Sequence, residues 1–166
     1  MPTAYISIGS NIERDKNIPS SLAALAQCFG ELTVSSVYES EPVGFTGAAF
    51  YNLVVAFESD WEVKAVGKKL RQIELEHGRT REAQKFSART LDLDLILYGD
   101  LVISDGRLQI PRDEIERYAF VLEPLAEIAP NLTHPLNQKS YARLWQEFDK
   151  SEQRQHTVVP TWLSTE

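Results

Sequence analysis

The chain has 166 residues, 43% of them hydrophobic, a net charge of −7 and one cysteine, Cys28. That length and apolar content fit one ordinary domain spanning 1–166 and exclude a disordered or fibrous chain. A single cysteine excludes an internal disulfide, and the acidic balance argues against a general nucleic-acid binder.

The start, M-P-T-A-Y-I-S-I-G-S-N, lacks the basic head and long apolar core of a secretory signal. No apolar run approaches the roughly 20 residues that span a bilayer. The expectation is a soluble cytoplasmic protein with no membrane, nucleic-acid or obligate protein partner.

In chain order, Ala4 to Ile8 is a short apolar strand, ended by a turn at Gly9-Ser10-Asn11. Ile18 to Phe29 carries Leu22, Leu25, Ala26 and Phe29 at helical spacing, with Gly30 past its end. Leu32 to Ser40 is rich in Thr, Val and Tyr and reads as one strand. Glu41 to Ala49, with Pro42, Gly44 and Gly47, reads as a loop. Phe50 to Ser59 is a third strand, with Tyr51, Leu53, Val55 and Phe57 on one face and Phe50, Asn52, Val54 and Ala56 on the other. Trp61 to His77 is helical, with an apolar stripe at Val63, Val66, Leu70 and Ile73 and a stop at Gly78. Leu101 to Ile110 reads as a hairpin turning at Ser104-Asp105-Gly106. Asp113 to Ala129 reads as helix interrupted at Pro124, and Ser140 to Phe148 as a short helix. From Asp149 the chain reads as polar and loose until Val158 to Trp162, with the last ~15 residues a peripheral tail. The order strand-helix-strand-strand-helix-strand predicts an α+β fold, a ferredoxin-like, largely antiparallel sheet with helices packed on it.

The most informative stretch is R-T-L-D-L-D-L-I-L-Y, Arg89 to Tyr98. Alternation sends Leu91, Leu93, Leu95 and Leu97 to one face of a strand. Asp92 and Asp94 go to the other, followed by Ile96 and Tyr98. Two carboxylates about 6.6 Å apart along an otherwise apolar strand repel each other and resist burial. A hard divalent cation between them relieves both costs, and Mg²⁺ completes such a site with water and phosphate oxygens. Directly before the strand, G-R-T-R-E-A-Q-K-F-S-A-R holds Arg79, Arg81, Lys85 and Arg89 against one acid. Arginine forks suit polyphosphate. No Walker A sequence is present, so a P-loop enzyme is excluded.

R-T-L-D-L-D, preceded by I-E-L-E-H-G-R, resembles the signature of the 6-hydroxymethyl-7,8-dihydropterin pyrophosphokinases of folate synthesis. The resemblance extends through A-Y-I-S-I-G-S-N, V-S-S-V-Y-E-S-E-P-V-G, F-Y-N and F-V-L-E-P-L-A-E-I-A-P, about the first 130 residues. It implies transfer of the β,γ-pyrophosphate of ATP to the pterin hydroxymethyl group, with release of AMP. It implies ATP as co-substrate and two Mg²⁺ ions held by Asp92 and Asp94. It further implies catalytic roles for Arg79 and Arg89, and ATP contacts from Arg71, Glu74, Arg81, Lys85, Arg107 and Arg112. Ser40, Val43, Phe50, Asn52, Phe86 and Phe120 match its pterin-binding positions. The pattern departs from the family's at I-P-R-D-E-I-E-R-Y-A-F. Arg112 and Asp113 replace the usual histidine and its neighbour, and Tyr118 replaces an arginine. Two other classes stay open: a non-catalytic pterin- or nucleotide-binding paralogue (or a kinase for a different dihydropterin), and a metal-dependent nuclease.

His77 reads as a packing or capping residue. His134 and His156 have no partners at metal-ligand spacing and read as incidental. Cys28 reads as a small core residue.

Overall fold

The computed structural model describes residues 1–40, 49–78, 91–151 and 153–163. A six-stranded sheet organises them, built from β1 (Thr3–Ser10), β2 (Thr33–Val34), β3 (Val37–Ser40), β4 (Phe50–Glu58), β5 (Asp92–Tyr98) and β8 (Gln155–Val158). Its order is β5-β1-β4-β3-β8, with β2 also on β4, and the pairings are antiparallel. Helix α1 (Arg14–Phe29) joins β1 to the β2–β3 segment, and α2 (Val63–Glu76) joins β4 to β5. The central order β5-β1-β4-β3 is two interleaved split βαβ units, the ferredoxin-like arrangement expected.

Both faces of the sheet are apolar, and each is covered differently. Ile6 and Ile8 of β1, Leu53 and Val55 of β4 and Leu93 of β5 meet Ile18 and Leu25 of α1 and Val66, Leu70 and Ile73 of α2. The second face carries Val54, Ile96 and Leu97. It packs under α3 (Glu114–Arg117), α4 (Ala119–Ile128) and α5 (Tyr141–Glu147). A small hairpin, β6 (Ile103–Asp105) and β7 (Leu108–Ile110), follows β5 and turns at Gly106-Arg107. The ion pair Lys64–Asp105, 2.8 Å, fastens it to the start of α2.

The structure corrects five local expectations. Gly9 and Ser10 are strand residues paired to Asn52 and Tyr51, not a turn. The single strand expected at 32–40 is split, because Ser35 and Ser36 find side-chain partners. Val54 N–H donates to Ser35 Oγ at 2.9 Å, while Ser36 N–H and Oγ–H donate to Glu127 of α4 at 3.0 and 2.9 Å. The alternation of β5 breaks at Ile96. Tyr5 pairs with Leu97 but Ile6 pairs with Leu95, so Ile96 is a bulge. Leu97 therefore joins the second face and Tyr98 the first, the reverse of strict alternation. The helical stretch after Asp113 breaks at Tyr118, an extended residue, and Pro124 sits inside α4. Residues 155–158, expected in a loose tail, form an edge strand on β3. Trp162 beyond it packs against the first core and donates to Asp15 Oδ1 at 2.9 Å.

Candidate active site

Helices α3–α5 cover one part of the second face, and the candidate residues lie on the part beyond them. Directly opposed residues of antiparallel strands share a face. One row across the sheet runs Asp92, Gly9, Asn52, Tyr38. The next runs Asp94, Ser7, Val54, and Phe50 pairs with Ser40 on the other side. The two aspartates, Asn52, Phe50 and Ser40 are thus neighbours on one surface, although they come from three strands.

Asn52 is buried, and its Nδ2 donates to Ser40 Oγ at 3.1 Å. Gly9 explains how it fits. A Cβ on Gly9 would stand 2.8 Å from Asn52 Oδ1 and 3.9 Å from the Phe50 ring. Gly9, itself buried, thus leaves the Asn52 amide room over its backbone, and Asp92 lies two strand spacings, or about 10 Å, from Asn52. Phe120, on α4 above this face, stacks on Tyr118 with ring centroids 5.0 Å apart.

The aspartates sit in an unusual electrostatic setting. Burial, and then the charge of Asp92, push the Asp94 carboxyl up to about 7, against the pull of Arg112 and Arg71. Its side chain still keeps 36% exposure, so it remains open to a ligand. Among the described residues no group of three His, Cys, Asp or Glu side chains is arranged for a metal. A carboxylate whose ionisation is disfavoured, Asp94, with a second carboxylate, Asp92, beside it is a donor set that fits Mg²⁺ bound chiefly by water and phosphate.

Arg112 is delivered by the bulge. Its backbone N–H donates to the Ile96 carbonyl at 3.1 Å. Its guanidinium grips Glu114 through Nε (3.1 Å) and Nη2 (2.9 Å). Burial works to raise the Glu114 carboxyl, but the Arg112 hydrogen bonds and charge outweigh it and bring it down to about 2. A permanent cation thus stands beside Asp94.

Arg71 and Glu74 sit one helical turn apart on α2, and they face each other. Arg71 Nη1 lies 2.9 Å from Glu74 Oε1, and Arg71 Nη2 lies 3.9 Å from Asp94 Oδ1. Glu74 is 2% exposed, and its other oxygen accepts the Leu93 N–H at 2.7 Å. Both oxygens of its carboxylate are thus engaged by its own chain. Arg107 is exposed at the hairpin turn, on the element tied to Lys64, about 10 Å along α2 from Arg71. Arg79, Arg81, Lys85, Phe86, Arg89 and Val43 lie outside the described residues.

Sequence reasoning took Gly9 as a turn residue at most shaping a pocket edge, and missed Glu114 and Arg14 as supports of the site. Arg14 lies 3.7 Å over the Tyr51 ring, pairs with Glu39 at 2.7 Å and donates to Ala49 O at 2.8 Å, fixing the entry to β4. The signal for Gly9 was a glycine in register inside a strand pattern; nothing local marks the other two. His77 caps α2 as expected, with Nδ1 on Ile73 O at 2.7 Å and Nε2 on Ser20 Oγ at 2.8 Å. His134 is a buried structural residue whose Nδ1 accepts the Leu136 N–H at 3.1 Å.

No helix among the described residues is long and apolar enough to cross a membrane. The family model of 7,8-dihydro-6-hydroxymethylpterin-pyrophosphokinase matches residues 5–130. The 2-amino-4-hydroxy-6-hydroxymethyldihydropteridine pyrophosphokinase of Haemophilus influenzae is 37% identical over 142 residues, covering 83% of this chain and 88% of that one. The protein of the same name from Bacillus subtilis is 38% identical over 129 residues, covering 75% and 77%. A Plasmodium falciparum HPPK-DHPS crystal structure shares the fold at a TM-score of 0.73 and 12% identity. The match covers 88% of this chain and 43% of that one. The chain belongs to the 7,8-dihydro-6-hydroxymethylpterin-pyrophosphokinase family.

Proposed function

We propose that this chain transfers the terminal pyrophosphoryl group of ATP to the hydroxymethyl group of 6-hydroxymethyl-7,8-dihydropterin, releasing AMP. Its family membership supports the reaction, and ATP with Mg²⁺ is the family's general requirement. The observation that carries the reading to these residues is the row Asp92–Gly9–Asn52. It carries Asp92 and the Asn52 amide on one face of the sheet, two strands apart.

In this reading Asn52 and Ser40 hydrogen-bond the pterin edge, and Phe50 and Phe120, with Phe86 and Val43, enclose the ring. Asp92 and Asp94 hold Mg²⁺, with two ions as the working number. When bound, Mg²⁺ offsets the charge of the triphosphate and of the departing AMP. Arg71, Arg107 and Arg112, with Arg81 and Lys85, bind phosphate oxygens, and Arg79 and Arg89 attend the transferred group. The pterin hydroxyl oxygen bonds to the β-phosphorus, the bond from that phosphorus to the α,β-bridging oxygen breaks, and the hydroxyl proton is released. The protein contributes positioning and electrostatics, with no covalent intermediate. Arg112 takes the place of the family histidine and carries its charge at every working pH.

The test is incubation of the protein with ATP, Mg²⁺ and the dihydropterin, followed by chromatography. Equimolar AMP and pterin pyrophosphate support the reading. Pterin binding without AMP would replace it with a non-catalytic paralogue or a different acceptor.

A further inference from the structure

The peptide of Leu93 lies between the two aspartates, and among the described residues β5 is an edge strand with β1 on one side only. An edge strand leaves a row of backbone donors and acceptors without a strand partner. At Leu93 that gap is filled by two side chains. Leu93 N–H donates to Glu74 Oε2 at 2.7 Å, and Arg71 Nη2 donates to the Leu93 carbonyl. Arg71 Nη1 and Glu74 Oε1, 2.9 Å apart, lock the two side chains to each other. The pair offers one acceptor and one donor side by side, as a neighbouring strand would. Glu74 is 2% exposed, so this contact is dry and its geometry is held by the packing of α2.

Resting on the reading that Asp92 and Asp94 hold the metal, we propose that Glu74 is a positioning residue for them. By fixing the Leu93 peptide from the edge, it sets the spacing and direction of the carboxylates on either side. Outer partners of this kind typically tune metal affinity by roughly 10–100-fold.

The discriminating experiment separates reach from charge. Glu74→Gln keeps an oxygen that reaches the Leu93 N–H but loses the charge. Glu74→Asp keeps the charge but is one methylene too short. The probe is Mn²⁺, titrated with the nonhydrolysable analogue of ATP present and followed by electron paramagnetic resonance. Pterin affinity and thermal unfolding are measured on the same samples, and Asp92→Ala serves as the control. Glu74→Asp is expected to weaken Mn²⁺ binding about 10–100-fold. Glu74→Gln should recover most of that loss, and pterin affinity should stay within about twofold of the parent in both. Equal or better binding by Glu74→Asp than by Glu74→Gln would overturn the proposal, as would a matching loss of pterin affinity. Unchanged Mn²⁺ binding in Asp92→Ala would instead remove the metal assignment itself, and the proposal with it.

Discussion

Gly9→Ala is the sharpest perturbation this site allows, because it adds one methyl group and changes no charge. The new Cβ would lie 2.8 Å from Asn52 Oδ1, well inside ordinary van der Waals contact. The amide must retreat by about 0.5 Å or rotate, and its Nδ2 is anchored to Ser40 Oγ at 3.1 Å. Gly9 is not among the residues with positive φ, so the backbone itself accepts alanine. The fold should therefore lose about 1–3 kcal/mol from crowding. Pterin affinity should fall further, because Asn52 loses its aim: one misdirected hydrogen bond in a dry site costs about 1–3 kcal/mol, a factor of roughly 5–150. Titration of dihydropterin fluorescence quenching, with nucleotide binding measured in parallel, reads this directly. The double variant Gly9→Ala/Asn52→Ala should bind pterin no worse than Asn52→Ala alone, since the methyl acts through that side chain. Unchanged pterin affinity in Gly9→Ala, or equal losses for pterin and nucleotide, would refute the role given to Gly9.

Asp94→Asn should abolish turnover yet stabilise the metal-free protein. The folded carboxyl is raised above its unfolded value, so its contribution is present at low pH and lost as pH rises through about 7. In EDTA at pH 8 the variant should gain on the order of 1–2 kcal/mol, discounted for 36% exposure, with a smaller gain at pH 5 and none below the unfolded value of 3.8. Equal chemical-denaturation midpoints for the two proteins at pH 8 would contradict this. His134 has the opposite sign. Burial holds its pKa below the usual value against the pull of Glu116, 3.5 Å from Nε2, so its contribution is present above about 6.5 and lost as pH falls below that. Amide exchange of Leu136, whose N–H bonds Nδ1, should accelerate beyond its intrinsic pH trend between pH 7 and 5; its absence would show that the ring does not titrate against the fold. Arg112→Ala should raise the KM for ATP at least tenfold and leave pterin affinity alone, while Arg112→His should restore most of it at pH 6. A KM unchanged by Arg112→Ala would mean that Glu114 keeps this cation out of the reaction.

Local chemistry made some features legible and not others. Asp92 and Asp94 stood out because a period of two places them together on a strand otherwise made of Leu, Ile and Tyr. Asn52 stood out because a strand interior disfavours it. Both signals are local, and the structure places these residues on one face. The misses are all set by partners far away in sequence. The Ile96 bulge carries no Gly or Pro; it is visible only through pairing with β1, about 90 residues earlier. The break at Ser35–Ser36 depends on Glu127, 91 residues from Ser36. Pro124 lacks the N–H that the Phe120 carbonyl would accept, yet α4 continues through it because its apolar residues are buried on the sheet. The break falls instead at Tyr118, one residue before α4. The strand at 155–158 is mostly polar because it lies at an edge, where pattern says least.

These long-range features converge on one edge of the sheet. A regular β5 would carry Leu97 and Tyr98 on the opposite faces and would leave the Ile96 carbonyl in the ladder with β1. The bulge frees that carbonyl to receive Arg112 and seats Leu97 under the helices that cover the second face. Three residues earlier, the side chains of Arg71 and Glu74 take up the Leu93 peptide from the side of α2. The strand bearing the aspartates is thus fixed by β1 on one side and by two non-strand contacts on the other. One of these draws on the first core and the other on the helices of the second face. In the proposed reading, a cation site of only two carboxylates gains little from its own ligand count, so its selectivity has to come from how rigidly they are held. That is a reason for an edge strand, rather than a loop, to carry them.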